Sequence, residues 1–207
     1  MRLQSNLRVL LAIIFVSAST AGMAQTAPAA TKGGWPIEVG GGVSVMDPDY
    51  PDYGEGLMLG GTVWLDYLPT FLPKKLNGLG IEAEARELGL HRSGNQPKNL
   101  KEEAAGGGAI YRWHHFDRLL PYGKFLYEFG RADYETGTGN PYFQTRTLME
   151  FGGGVEYRVW NAVWARAEYD YQRWPGFYYI GPGQPAPALE PQGGTIGVMY
   201  SFRDRGR

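Results

Sequence analysis

Three groups of residues in this 207-residue sequence have types and spacings that could do chemistry. The first is His91-Arg92-Ser93, with Glu102 or Glu103 beyond the same polar stretch. A histidine and a serine beside a carboxylate could activate a hydroxyl nucleophile. Adjacent His and Ser in a stretch such as GLHRSGNQPKN are more often solvated loop residues, so a catalytic site is not expected. The second group is the carboxylate pair Glu82 and Glu84, about 7 Å apart on one face of a strand. Nearby arginines and lysines make ion pairing the stronger reading over acid–base catalysis. The third comprises the acidic stretch Asp47, Asp49, Asp52 and Glu55, and His114-His115 with Asp117. Neither has the spacing of a calcium loop or a zinc site, so no metal and no cofactor are expected.

These residues must be held by strands, because period-two alternation recurs along the chain between turn-rich segments. Val39, Val43 and Val45 alternate with Glu38, Gly40, Gly42 and Ser44; Leu59, Val63, Leu65 and Tyr67 alternate with Gly60, Thr62, Trp64 and Asp66. The third segment sets Ile81, Ala83 and Ala85 against Glu82, Glu84 and Arg86, and a Gly-rich fourth runs over 105–113. Phe125, Tyr127 and Phe129 oppose Lys124, Leu126 and Glu128. The sixth and seventh segments (149–159, 163–172) and a last one ending in Tyr200 and Phe202 complete eight strands. Loops over 46–56, 88–100, 132–144 and 174–192 are expected to be long, and 160–162 very short. Segment 68–78 is long for the side of short turns. Thirty-one glycines and fourteen tyrosines suit strands and tight turns rather than a helical bundle.

The first 24 residues have the order of a secretory signal. Arg2 and Arg8 precede the apolar run VLLAIIFV, and Gly22 and Ala24 give small residues at −3 and −1, so cleavage is expected after Ala24. The apolar run is too short to span a bilayer, which takes about 20 residues. The expected organisation is then a signal peptide (1–24), a short periplasmic linker (25–34), a barrel (35–203) and a tail (204–207). The chain has no cysteine, so an exported fold must be held by packing or by closed hydrogen bonding. With 20 Lys+Arg against 21 Asp+Glu it lacks the basic excess of a nucleic-acid binder.

The same alternation could build a soluble lipocalin-like barrel, with its apolar face inside, or a membrane barrel, with that face outside. Export, aromatics at the ends of the apolar faces and the alternation of loop lengths favour the membrane. The inward face would then carry Glu38, Glu82, Glu84, Glu128, Glu150, Glu156, Glu168 and Asp170 with Arg86, Arg112, Lys124, Arg158 and Arg166. Eight strands leave a lumen that side chains can fill. A polar plug is therefore expected rather than a conducting pore, with inward glycines making room for Trp64, Trp164 and the arginines. Eight acids against five bases leave a narrow cation leak as the alternative.

The last strand, Thr195-Ile-Gly197-Val-Met-Tyr200-Ser-Phe202, resembles the assembly signal of small outer-membrane barrels: a polar residue, a glycine two on, then two aromatics. With the eight-strand pattern, the sequence resembles the eight-stranded outer-membrane proteins typified by the OmpA transmembrane domain and OmpX. That resemblance implies an all-β, antiparallel up-and-down transmembrane barrel in the cell outer membrane, in contact with lipid and lipopolysaccharide. It also implies handling by periplasmic chaperones and the barrel-assembly machinery. The expected role is structural, in envelope integrity or surface contact, with the surface ligand unknown. A second alternative comes from barrels that deacylate lipid A with an H-x-S pairing similar to His91 and Ser93.

Overall fold

The computed structural model describes residues 35–49, 56–90, 100–116, 118–135, 141–177 and 188–202. Eight strands run in chain order: β1 (Ile37–Asp47), β2 (Met58–Tyr67), β3 (Leu79–Leu90), β4 (Leu100–Arg112), β5 (Leu119–Glu135), β6 (Pro141–Trp160), β7 (Val163–Arg173) and β8 (Gln192–Ser201). Each pairs antiparallel with its sequence neighbours, and β1 pairs with β8 from Glu38↔Ser201 to Asp47↔Gln192. Closure leaves no sheet edge in the barrel wall, so the strands satisfy their backbone groups there as a bilayer demands, and β6 runs past its ladder with β7 over Pro141–Leu148.

Which face is inside follows from the chemistry of the two faces. Glu38, Asp66, Glu82, Arg112, Glu150 and Arg166 are buried, while Val43, Val63, Leu65, Phe125, Phe151 and Ile196 stand on the outer surface. A soluble barrel would have the reverse arrangement, which disposes of the lipocalin-like alternative. Tyr67, Tyr111, Trp113, Tyr157, Trp160, Tyr200 and Phe202 form an outward aromatic girdle at the end where β1 begins and β8 ends. Within it Tyr111 meets Trp113 edge-on at 5.1 Å, and Tyr200 meets Phe202 at 4.9 Å. Rings of this kind sit at the membrane–water boundary.

The turns at this end are tied down. The β6–β7 hairpin closes through Asn161, whose φ of 25° suits a residue that tolerates the left-handed region. The longer 68–78 segment is folded, not loose. Leu68 is buried and its N–H donates to the Pro36 carbonyl at 2.8 Å; a 3₁₀ turn follows at Lys74–Leu76, and Gly78 accepts from the Arg112 N–H. At the opposite end the strands outrun the expectation. β5 and β6 continue to Glu135 and Pro141, so most of the predicted 132–144 loop is paired strand. Arg131, Asp133 and Thr145 interrupt the apolar outer face there, while the backbone ladder continues above the hydrophobic belt.

Inward glycines provide the space that large side chains occupy. A Cβ on Gly40 would overlap the Trp64 ring, one on Gly197 would stand 2.6 Å from that ring, and one on Gly152 2.5 Å from Lys124 Cε. The lumen is filled in three tiers. Met46, Met58, Leu88, Leu100, Leu148, Trp174, Phe177 and Leu189 form an apolar cap at the outer end. Trp64, Leu120, Trp164 and Met199 pack at the girdle end. The charged side chains lie between.

Candidate functional site

Period two aims Glu82, Glu84 and Arg86 of β3, Arg112 of β4, and Lys124 and Glu128 of β5 into the same lumen. Glu150 and Glu156 of β6 meet them there with Arg166, Glu168 and Asp170 of β7; Glu38 enters from β1. Four cations organise this interior. Arg112 is the hub of the lower network. Its Nε donates to Glu156 Oε2 at 2.8 Å, its Nη2 donates to Asp66 Oδ2 at 2.6 Å, and Glu38 Oε2 lies 3.3 Å from Nη2. Ser201 donates its hydroxyl proton to Glu38 at 2.8 Å, joining the last strand to the first.

Arg166 lies between two aromatic rings, 4.6 Å from the centroids of Trp64 and Tyr122. Its two terminal nitrogens reach the two oxygens of Glu82 at 2.8 and 3.1 Å, a forked geometry that only a guanidinium offers. It also donates to Glu168 and, through Nε, to the Tyr122 hydroxyl at 2.6 Å. Lys124 reaches Glu84 at 2.5 Å and both Glu168 and Glu150 at 2.9 Å. Arg86 reaches Glu84 at 2.7 Å, Asp170 at 2.8 Å and Glu150 at 3.1 Å. A hydroxyl chain, Thr62–Ser44–Thr195 at 2.5 and 2.8 Å, lines the wall beside it, and Arg86 Nε donates to Thr62.

The structure adjusts the list read from sequence. Arg158 is only partly buried, and its guanidinium stacks on the Trp164 ring at 4.8 Å. It follows the last inward carboxylate of β6, Glu156, and lies at the girdle end of the barrel. Asp66, Glu102, Tyr122 and Gln172 belong to the interior but were missing from that list. Asp66 and Gln172 were legible as inward positions of their strands. Glu102 falls in the part of β4 that alternation did not reach. Among the described residues, ten buried carboxylates therefore face four buried cations, an imbalance larger than eight against five.

The other candidates fare differently. His91 and Ser93 lie outside the described residues, as do Asp52, Glu55 and Asp117. The two acids once paired with them diverge: Glu102 points into the lumen, whereas Glu103 faces outward with Lys101 2.6 Å away. Glu82 and Glu84 are engaged by Arg166, Arg86 and Lys124, as ion pairing requires. His115 is exposed against Phe116, 5.1 Å between ring centres. Asp49 accepts from the Glu190 N–H at 3.1 Å, so this acid ties two outer segments together. On β8, Thr195 is inward in the hydroxyl chain, Gly197 lies against the Trp64 ring, and Tyr200 and Phe202 stand in the girdle.

A family model described as "Outer membrane protein beta-barrel domain" matches residues 10–202. The chain belongs to this family. It is thus an eight-stranded barrel of the cell outer membrane, resembling the OmpA and OmpX type that its last strand suggested. Solved structures share the fold at low identity. The Neisserial surface protein A barrel is 16% identical with a TM-score of 0.58, covering 80% of this chain and 96% of that one. Ail, the attachment invasion locus protein of Yersinia pestis, is 16% identical with a TM-score of 0.50 (82% and 99%). OprG of Pseudomonas aeruginosa is 13% identical with a TM-score of 0.53 (81% and 96%). No curated protein sequence matches.

Proposed function

We propose that this barrel is a non-enzymatic envelope protein with a structural and surface-contact role, its lumen closed by its own side chains. The observation that carries the closed lumen is the three-tier filling, with ion pairs between two apolar layers. Surface contact is supported by the outer hairpin of β5 and β6, 17 and 20 residues long where the other strands have 10–13. It carries exposed Phe143 with the Arg131 guanidinium 4.8 Å from its ring, and Asp133 beside Arg131 at 2.7 Å. An exposed aromatic and charges on a rigid projecting ribbon suit contact with another surface. The names of the Neisserial surface protein and of the Yersinia attachment protein describe those proteins; for this chain surface contact is our reading.

Planar-bilayer recordings test the plug directly. Wild-type barrel is expected to conduct ions poorly, and steady large conductance would instead support the second reading, a cation leak favoured by the carboxylate excess. The same preparation, incubated with lipopolysaccharide, is expected to release no fatty acid. Release that disappears in His91→Ala and Ser93→Ala would make the protein a lipid hydrolase.

Biogenesis in this reading starts with export on the 1–24 signal and cleavage after Ala24, leaving 25–34 as a periplasmic linker. Chaperones and the barrel-assembly machinery would then recognise Thr195, Gly197, Tyr200 and Phe202, with Arg203 to Arg207 dispensable. Phe202→Ala is expected to reduce the amount of heat-modifiable, assembled barrel severalfold, whereas a chain ending at Phe202 assembles normally. The opposite ranking would place the signal in the tail.

A further inference from the structure

The lumen holds two triads of carboxylates, and they differ in what occupies them. Glu38, Asp66 and Glu156 converge on Arg112, so a guanidinium already sits among them. Glu84, Glu128 and Glu150 each bring one oxygen within 4.8 Å of the others. Arg86 and Lys124 hold Glu84 and Glu150. Glu128 receives neither. It is 1% exposed, and both of its oxygens lack a hydrogen-bond partner. Nearer the apolar cap, Glu102 is 2% exposed with both oxygens likewise unpartnered. A buried carboxylate without donors is costly, and here it faces two further carboxylates that share its sign.

We propose that Glu84, Glu128 and Glu150 hold a hard divalent cation of the calcium class inside the barrel, with Glu128 as the ligand no side-chain cation competes for. The donor set is all oxygen, which suits calcium or magnesium and not zinc or copper, whose sites use nitrogen or sulfur. Ligands on opposite sides of a calcium ion, at 2.3–2.6 Å each, stand about 5 Å apart, and the three oxygens, all within 4.8 Å of one another, lie inside that limit. Calcium tolerates irregular geometry and mixed carboxylate and water ligands, whereas magnesium demands a near-ideal octahedron. A divalent ion here also reduces the surplus of six carboxylates over cations among the described buried residues. Met46, Leu88, Leu148 and Trp174 close the route from outside, so the ion enters while the barrel folds. The site is independent of the surface role proposed above, because it lies wholly within the lumen.

The experiment refolds the full mature chain into detergent micelles with calcium chloride or with EDTA, then removes free ion by extensive dialysis. Wild type refolded with calcium is expected to retain about one calcium ion per barrel by mass spectrometry. Its thermal midpoint should exceed that of the EDTA-refolded protein. E128Q should keep no calcium and show one midpoint under both conditions, while Asp47→Asn with Asp49→Asn, at the exposed rim, should behave as wild type. Equal midpoints and no retained calcium in wild type would overturn the site and assign the excess charge to protons. Calcium that persists in E128Q, or vanishes in the rim variant, would overturn it in favour of a surface site. Should E128Q fail to fold, wild type refolded with terbium gives the answer alone. Tryptophan-sensitised emission that dialysis does not remove and the rim variant retains supports the site, and its absence overturns it.

Discussion

Arg166→Ala is expected to lower the unfolding free energy of the barrel by about 3–5 kcal/mol, less whatever water entering the lumen restores. The size follows from what the guanidinium holds. It is 1% exposed, binds both oxygens of Glu82, donates to Glu168 and Tyr122, and fills the space between the Trp64 and Tyr122 rings. Alanine leaves Glu82 facing Lys124 at 3.3 Å and opens a gap beside Trp64. A buried charge without its partner is far worse than no pair at all, so the double variant Arg166→Met, Glu82→Gln should recover a large part of the loss. Urea titrations in lipid vesicles measure both. An unchanged midpoint for Arg166→Ala would mean that the lumen is wet enough to solvate these carboxylates, and the plug would fail with it.

Val43→Arg is the second large effect, about 2–4 kcal/mol in the same titration. Val43 is 58% exposed, pairs with Gly61 and Ile196, and lies between Val39 beside the girdle residue Tyr200 and the first outward charge of β1, Asp47. An arginine there must carry its charge to a headgroup or remain in hydrocarbon. Val39→Arg, one step from the girdle, should cost much less, since the penalty falls toward the interface. A flat profile along Val39, Val43 and Val45 would place β1 outside the hydrocarbon core.

How these residues reach the lumen was partly readable from the chain and partly not. Alternation in β1, β2, β3 and β7 was strong because each strand crosses from one polar boundary to the other with an apolar outer face. It faded after Phe129 and before Met149, where polar residues interrupt the outer face of the β5–β6 ribbon. Hydrogen bonding alone extends those strands, and hydrogen bonding leaves no mark on side-chain polarity. The same loss hid the start of β4, and Glu102 with it.

The sequence by itself determined the strand count, the inside and outside of each strand, and the aromatic girdle, because period two is a local property that a bilayer sorts by polarity. It also determined that carboxylates outnumber cations in the lumen. The tertiary structure decided which of them meet. Arg166 finds Glu82 at a separation of 84 residues, and Arg112 finds Glu38, Asp66 and Glu156 from three other strands. The shear of the closed sheet sets the height of each strand, and a two-residue slip would keep every side chain on its face while changing every partner. It decided, too, that inward Leu88, Leu100, Leu148, Trp174 and Leu189 gather as one cap. In any single strand these read as isolated apolar residues on a polar face, and only closure of the barrel brings them to a common level.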